Sequence, residues 1–180
     1  IHAGASIIND VWARMDPAMF DVAAERKVPI ILMHNHNEPK KTEQNEILGG
    51  RFVGMEYGDL MKDINRELGE AVDAALKAGV PRENIIVDPG IGFGKTVEQN
   101  LELIFRLREL KTLGLPVLVG PSRKSFLGYT LDLPPEERLE ATAAAVALCI
   151  ERGADIVRVH DVKAMYRVAK LADAIVRRQQ

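Results

Sequence analysis

Polar side chains with catalytic or binding chemistry stand where five apolar runs stop. Asn9 and Asp10 follow Ile7-Ile8, His34 follows Ile31-Leu32-Met33, and Asp88 follows Ile85-Ile86-Val87. Ser122, Arg123 and Lys124 come soon after Val117-Leu118-Val119, and Arg158 and His160, then Asp161, close the run that begins at Asp155. A carboxylate held before Pro89-Gly90 can accept two hydrogen bonds from an amino group and a neighbouring ring N–H, a charge-assisted pair. Asn9 offers a donor and an acceptor to the same kind of edge. Lys124, Arg158 and His160 suit phosphate oxygens or a developing anion. Acid, amide and cations together fit a polar heterocycle that carries a phosphorylated leaving group.

These groups meet only if the runs are parallel strands with a common rim. Ser6 to Asn9, Pro29 to Met33, Ile85 to Val87, Pro116 to Val119 and Asp155 to Val159 are short and apolar nearly throughout, the pattern of strands covered on both faces. Between them lie segments of helical spacing. Pro17 to Arg26 has Asp16 in position to cap it. Asp59 to Lys77 sets Leu60, Ile64, Leu68, Val72 and Leu76 at steps of four, with Gly79 as its stop. Val97 to Thr112 (Leu101, Ile104, Phe105, Leu107), Pro135 to Arg152 and Val162 to Arg178 complete the set. Strand then helix, five times over, implies an α/β fold with parallel strands and crossovers, either an open sheet or a closed barrel. In both, ligands bind at the C-terminal ends of the strands. Asn35 to Gly58 is polar and glycine-bearing and is expected to be a mobile surface loop with a short helix.

Composition narrows the classes. The 180 residues carry 24 Lys plus Arg against 26 Asp plus Glu, a formal charge of −2, without the basic excess of a nucleic-acid binder. The single cysteine, Cys149, excludes an internal disulfide and lies in an alanine-rich run where a core thiol is expected. No apolar stretch reaches the ~18 residues of a membrane span, and no signal peptide is evident, so a single cytoplasmic domain is expected.

Other motifs carry less. Gly90-Ile91-Gly92-Phe93-Gly94-Lys95-Thr96 misses the Walker pattern because Pro89 stands where its first glycine belongs. A flexible strand-to-helix connection that lets Phe93 project over a ligand is the preferred reading. His34 and His36, with Glu38 behind, lack a third metal ligand at a recognisable spacing and read as a solvated loop. Ser125 has no histidine and acid arranged to make it a nucleophile.

Ile7-Ile8-Asn9-Asp10, Ile31-Leu32-Met33-His34, Asp88-Pro89-Gly90-Ile91-Gly92-Phe93-Gly94-Lys95, Ser122-Arg123-Lys124-Ser125 and Arg158-Val159-His160-Asp161-Val162 occur in that order. Together, over essentially the whole chain, they resemble the dihydropteroate synthase family of folate biosynthesis. The resemblance implies a (β/α)₈ TIM barrel that joins p-aminobenzoate to 6-hydroxymethyl-7,8-dihydropterin diphosphate, with Mg2+ and loss of diphosphate. Asn9 and Asp88 then grip the amino and ring-nitrogen edge of the pterin. Lys124 reaches the pterin near the aminobenzoate, and Arg158 and His160 stack on the pterin and bind diphosphate. Met33, Phe93 and Gly120 line the pocket, Ser125 sits near the aminobenzoate carboxylate, and Arg123 acts from behind them. Sulfonamides, as aminobenzoate mimics, become ligands, and a homodimer through the last helices (around Pro135 to Arg152 and Val162 to Arg178) is implied.

A complete barrel of this kind needs ~250 residues. By motif order, the chain corresponds to the last five βα units as an incomplete barrel of about five parallel strands, and it opens on Ile1 directly before a strand. The family's magnesium-ligating asparagine, two N-terminal loops and a third pterin-binding acid would belong to the three missing units, so residues 1–180 alone are expected to be inactive or nearly so. Two alternatives stay open. A pterin-dependent methyltransferase has no diphosphate to bind and should lack the cluster of Lys124, Arg158 and His160. A non-catalytic pterin-binding module would bind without turnover.

Overall fold

The computed structural model describes residues 1, 3–13, 16–35, 41–53 and 56–178. Strands β1 (Ile8–Asp10), β2 (Ile30–Met33) and β5 (Ile85–Asp88) form one parallel sheet in that order. A parallel bridge from Val87 to Val117 continues it toward β6 (Leu118–Val119), which pairs in parallel with β7 (Ile156–Val157). The five expected runs are therefore strands in chain order, and their C-terminal ends share one rim.

Helices fill the intervals. Helix α1 (Ala18–Arg26) follows Asp16, whose Oδ1 accepts from the Ala18 amide at 3.0 Å. Helix α2 (Leu60–Lys77) is capped by Asp59, which accepts from the Met61 and Lys62 amides. Leu60, Ile64, Leu68 and Val72 are buried as its spacing predicts, Leu76 is only partly buried against the same core, and Gly79 at φ +93° ends the connection. These side chains join Ile30, Leu32, Ile85 and Val87 in the main core. Helix α3 (Val97–Phe105) starts in a capping box between Thr96 and Gln99. Helices α5 (Leu139–Glu151) and α6 (Val162–Val176) meet over a smaller core of Val146, Ile150, Met165 and Ala172. Cys149 is fully buried, and burial pushes its thiol pKa up to about 12, as a core thiol requires.

Four expectations change. The polar segment after Asn35 holds an antiparallel hairpin, β3 (Lys41–Asn45) and β4 (Gly49–Val53), rather than a loop with a helix. Asn45 Oδ1 builds its turn by accepting from the Ile47 and Leu48 amides. The helix expected over 97–112 stops at Phe105 and continues as 3₁₀ turns through Leu113. There Arg106 bonds Glu102, Glu109 and Asp59, so the acids around one guanidinium fix the end of α3 against the start of α2. Of the residues expected on the packed face, Ile104 and Leu107 are buried, but Leu101 and Phe105 are exposed, with Asn100 and Leu103 buried in their place. Pro135 begins only a 3₁₀ turn, with α5 proper starting at Leu139, while a short helix α4 (Ser125–Leu131) had no periodic signal to announce it.

Candidate active site

The rim brings distant residues together. Asn9 lies within β1 and Arg158 follows β7, yet Arg158 Nη1 donates to Asn9 Oδ1 at 3.2 Å. The same guanidinium lies 3.8 Å from Asp88 Oδ2. Asp88 closes β5 opposite Met33 in the ladder and is almost fully buried. Its Oδ1 accepts from the Gly90 amide at 2.8 Å, leaving Oδ2 toward the cationic side. Burial raises the Asp88 pKa, and the Gly90 amide with Arg158, Lys95 and Lys124 works against that rise. A carboxylate in this state has an acceptor edge that water does not saturate.

Lys124 comes from the β6–α4 connection. Its stem runs beside Gly92, where an added Cβ would stand 2.7 Å from Cδ, and its Nζ sits 3.8 Å from the centroid of the Phe93 ring. Burial lowers the Lys124 pKa, with Arg158 adding to the effect and Asp88 opposing it. The ammonium is thus partly stripped of water and rests on an aromatic face, a modest cation–π contact. Gly120, Ser122, Lys124, Arg158, Val159 and His160 line a cleft of 320 Å³. The His160 ring is tethered through Nδ1 to Ser122 Oγ at 2.9 Å, and that hydroxyl also accepts from the His160 amide. Behind it Arg123 makes a two-pronged pair with Asp161, at 2.9 and 2.7 Å.

The residues singled out in the sequence do not all fall in one place. Asn9, Asp88, Lys124, Arg158, His160, Gly120 and Phe93 converge on or beside the cleft, and Ser125 opens α4 next to Lys124. Met33 is fully buried and lines a small neighbouring cavity with Trp12, His34 and Glu67 rather than the main cleft. His34 is not in a solvated loop. It is buried, with Nε2 3.2 Å from Glu67 Oε2 and Nδ1 3.1 Å from Lys95 Nζ. His36 and Glu38 lie outside the described residues.

The glycine-rich connection is pinned rather than flexible. Gly90, Gly92 and Gly94 all have positive φ, and a Cβ at Gly90 would collide with the His34 carbonyl. Lys95 folds back under the turn and donates to the Gly90 and Phe93 carbonyls, each at 3.1 Å. The usable sequence signal for Lys95 was a cation in a glycine run immediately before a helix-capping threonine.

The family model described as "Pterin binding enzyme" matches residues 1–160. A relative named dihydropteroate synthase from Bacillus subtilis is 51% identical over 176 residues, covering 97% of this chain and 56% of the relative. The crystal structure of a dihydropteroate synthase from Clostridium difficile in the presence of pteroic acid superposes with a TM-score of 0.86 at 40% identity, over 98% of this chain and 62% of that one. A Yersinia pestis dihydropteroate synthase in a sulfonamide drug complex gives 0.87 at 35%, over 99% and 62%. The chain thus spans between half and two thirds of the length of these proteins.

Proposed function

The chain belongs to the family of pterin-binding enzymes, and from that premise we propose that the protein carrying it is a dihydropteroate synthase. Its substrates would be a dihydropterin diphosphate and p-aminobenzoate, and its five parallel strands an arc of a (β/α)₈ barrel. The observation that carries the reading is the buried Asp88 carboxylate at a strand end, with Arg158 between it and Asn9. A pterin presents an amino group and adjacent ring N–H, which match a carboxylate edge and a carboxamide. Relatives found with pteroic acid and with a sulfonamide support the same ligand classes.

In this reading Asp88 and Asn9 orient the ring so that its methylene faces the cations. The C–O bond to diphosphate breaks as the dihydropterin ring donates electrons to the methylene carbon. Lys124, Arg158 and His160 meet the charge that gathers on the departing oxygens, which is electrostatic stabilisation by groups already in place. The aromatic amine then forms the C–N bond and loses a proton. Ser125, beside Lys124, holds the carboxylate end of the aminobenzoate. No covalent bond to the protein is needed.

Magnesium, implied by the family resemblance, does not find a site in the residues present. Among the described residues no group of three or more His, Cys, Asp or Glu could hold a metal. The exposed apolar residues Leu148, Val162, Tyr166, Leu171 and Ile175 on α5 and α6 support a homodimer. No helix among the described residues is long and apolar enough to cross a membrane, and we place the enzyme in the cytoplasm.

Calorimetry with pteroic acid, paired with a diphosphate-release assay on the protein given both substrates, tests the proposal. Pteroic acid is expected to bind, and Asp88→Asn to weaken it about 100-fold, the scale for removing a charged partner from a buried bidentate pair. Binding unaffected by that change would sink the assignment of Asp88. Binding without diphosphate release by the protein that carries the chain would make it a binding module.

A further inference from the structure

Arg123 adopts φ +55° although it is neither a glycine nor a helix cap. An L-residue held there costs ~1 kcal/mol and persists only where its surroundings over-determine it. Here α5 does so from below, with two residues one turn apart. Thr142 Oγ1 accepts from the Arg123 amide at 3.0 Å, and Arg138 Nη1 donates to the Arg123 carbonyl at 3.1 Å. Both ends of the inverted residue are therefore held, by side chains that are themselves buried.

Arg138 is unusual in its company. All its described hydrogen bonds go to backbone carbonyls: Arg123, Leu133 twice, at 3.1 and 3.0 Å, and Leu48 at 2.9 Å. The last of these ties in the tip of the β3–β4 hairpin, which Tyr129 also fastens by donating to the Gly49 carbonyl at 2.9 Å. Space for the guanidinium exists only because residue 128 lacks a side chain, since a Cβ there would collide with it. Burying a charge among neutral carbonyls is costly for stability, and one of the three segments it joins is Arg123, the residue directly before Lys124 and Ser125. We infer that Arg138 and Thr142 are positioning residues that hold Arg123 inverted and so aim Lys124 and Ser125 into the cleft, an inference that rests on the pterin-site reading above. Neither residue touches the cleft. Their effect on a ligand passes through the direction of the Arg123–Lys124 peptide.

The test uses the full chain and three changes: Thr142→Val, which removes the acceptor at nearly constant shape, Gly128→Ala, which displaces the guanidinium, and Thr142→Ser, which keeps the hydroxyl. Thermal melting reports folding, calorimetry reports pteroic acid affinity, and 13C NMR of dimethylated lysines reports where Lys124 lies. In the unaltered protein the Phe93 ring shifts the Lys124 signal, which is assigned by its loss in Lys124→Arg. Thr142→Val and Gly128→Ala, while still folded, are expected to lose about tenfold in affinity, the scale of one lost buried hydrogen bond, and to return the Lys124 signal to the position of ordinary lysines. Thr142→Ser is expected to keep both. Lower melting temperatures with an unmoved Lys124 signal would reduce Arg138 and Thr142 to structural supports and overturn the inference. If the signal moves as expected while the unaltered protein ignores pteroic acid, the positioning role stands and the pterin assignment falls.

Discussion

Two pairs of cations around the same rim are treated in opposite ways. Lys95 and Arg138 are each about 2% exposed, and carbonyls take up most of their donors. Lys124 is only half-buried and Arg158 is exposed. The first lies on the Phe93 ring, and the second makes a 3.2 Å bond to Asn9 and a looser 3.8 Å approach to Asp88. The saturated pair holds backbone in place. The under-satisfied pair has donors that, in the proposed function, would meet an incoming anion. A charge beside a cleft is thus informative only together with its partners: the most deeply buried lysine among the described residues is taken up by carbonyls and a histidine, and the proposed function falls to cations that the protein leaves incompletely bonded.

Removing a saturated cation is the harshest way to break this contrast. Lys95→Met would leave the Gly90 and Phe93 carbonyls and the His34–Glu67 pair without their buried donor. An expected loss of about 3 kcal/mol, or roughly 10 °C in melting temperature, follows from such a deletion. Differential scanning calorimetry reads it, and a variant as stable as the parent would contradict the structural role. Lys124→Met should do the reverse. A half-desolvated ammonium is replaced by an apolar chain on an aromatic ring, so the melting temperature is expected to hold or rise. Affinity for a diphosphate-bearing pterin should meanwhile fall roughly 30-fold, within the range for a charged hydrogen bond. Titration calorimetry separates the two effects.

The smallest effect sharpens the comparison through pH. Burial holds the Asp88 pKa above the ordinary carboxylate value of 3.8. Because the folded value is the higher one, the group's contribution to stability is fullest below the unfolded pKa and is lost as pH rises through the folded one. Ligand binding in the proposed site has the opposite sign, since there the ionised form would accept from the pterin edge. On acidification, affinity is therefore expected to decline severalfold, beginning above the pH at which an exposed carboxylate would protonate. The decline should be absent in Asp88→Asn. An affinity that stays flat until ordinary carboxylates titrate would remove the desolvated acid from the account.

The legible parts of the molecule were those set by local period. Short Val- and Ile-rich runs marked all five parallel strands, and the polar residue at each strand end marked the rim. The four-residue stride from Leu60 marked α2. The hairpin was hidden because Lys41–Asn45 is exposed at every position, so no apolar alternation existed to read. Its pairing rests on the Asn45 turn and on Arg51 reaching Glu43 at 2.7 Å. The early end of α3 was hidden for a related reason, because Arg106 draws acids from three segments and one of them, Asp59, is far away in sequence. Asp88, Arg158 and Asn9 could be singled out by type and place. Lys95 and Arg138 could not, because a buried cation satisfied by carbonyls has no partner residue that a sequence displays.

The hydrogen bond from Arg158 to Asn9 spans 149 residues of chain. Closing so long a loop is entropically unfavourable until most intervening contacts exist, and contacts of this reach form late. The contact between Arg158 and Asn9 is therefore expected to form after the local contacts of α2, which need no such closure. Under the proposed function, a refolding sample is expected to regain helical signal before it regains pteroic acid binding, so that competence to bind reports the completion of folding.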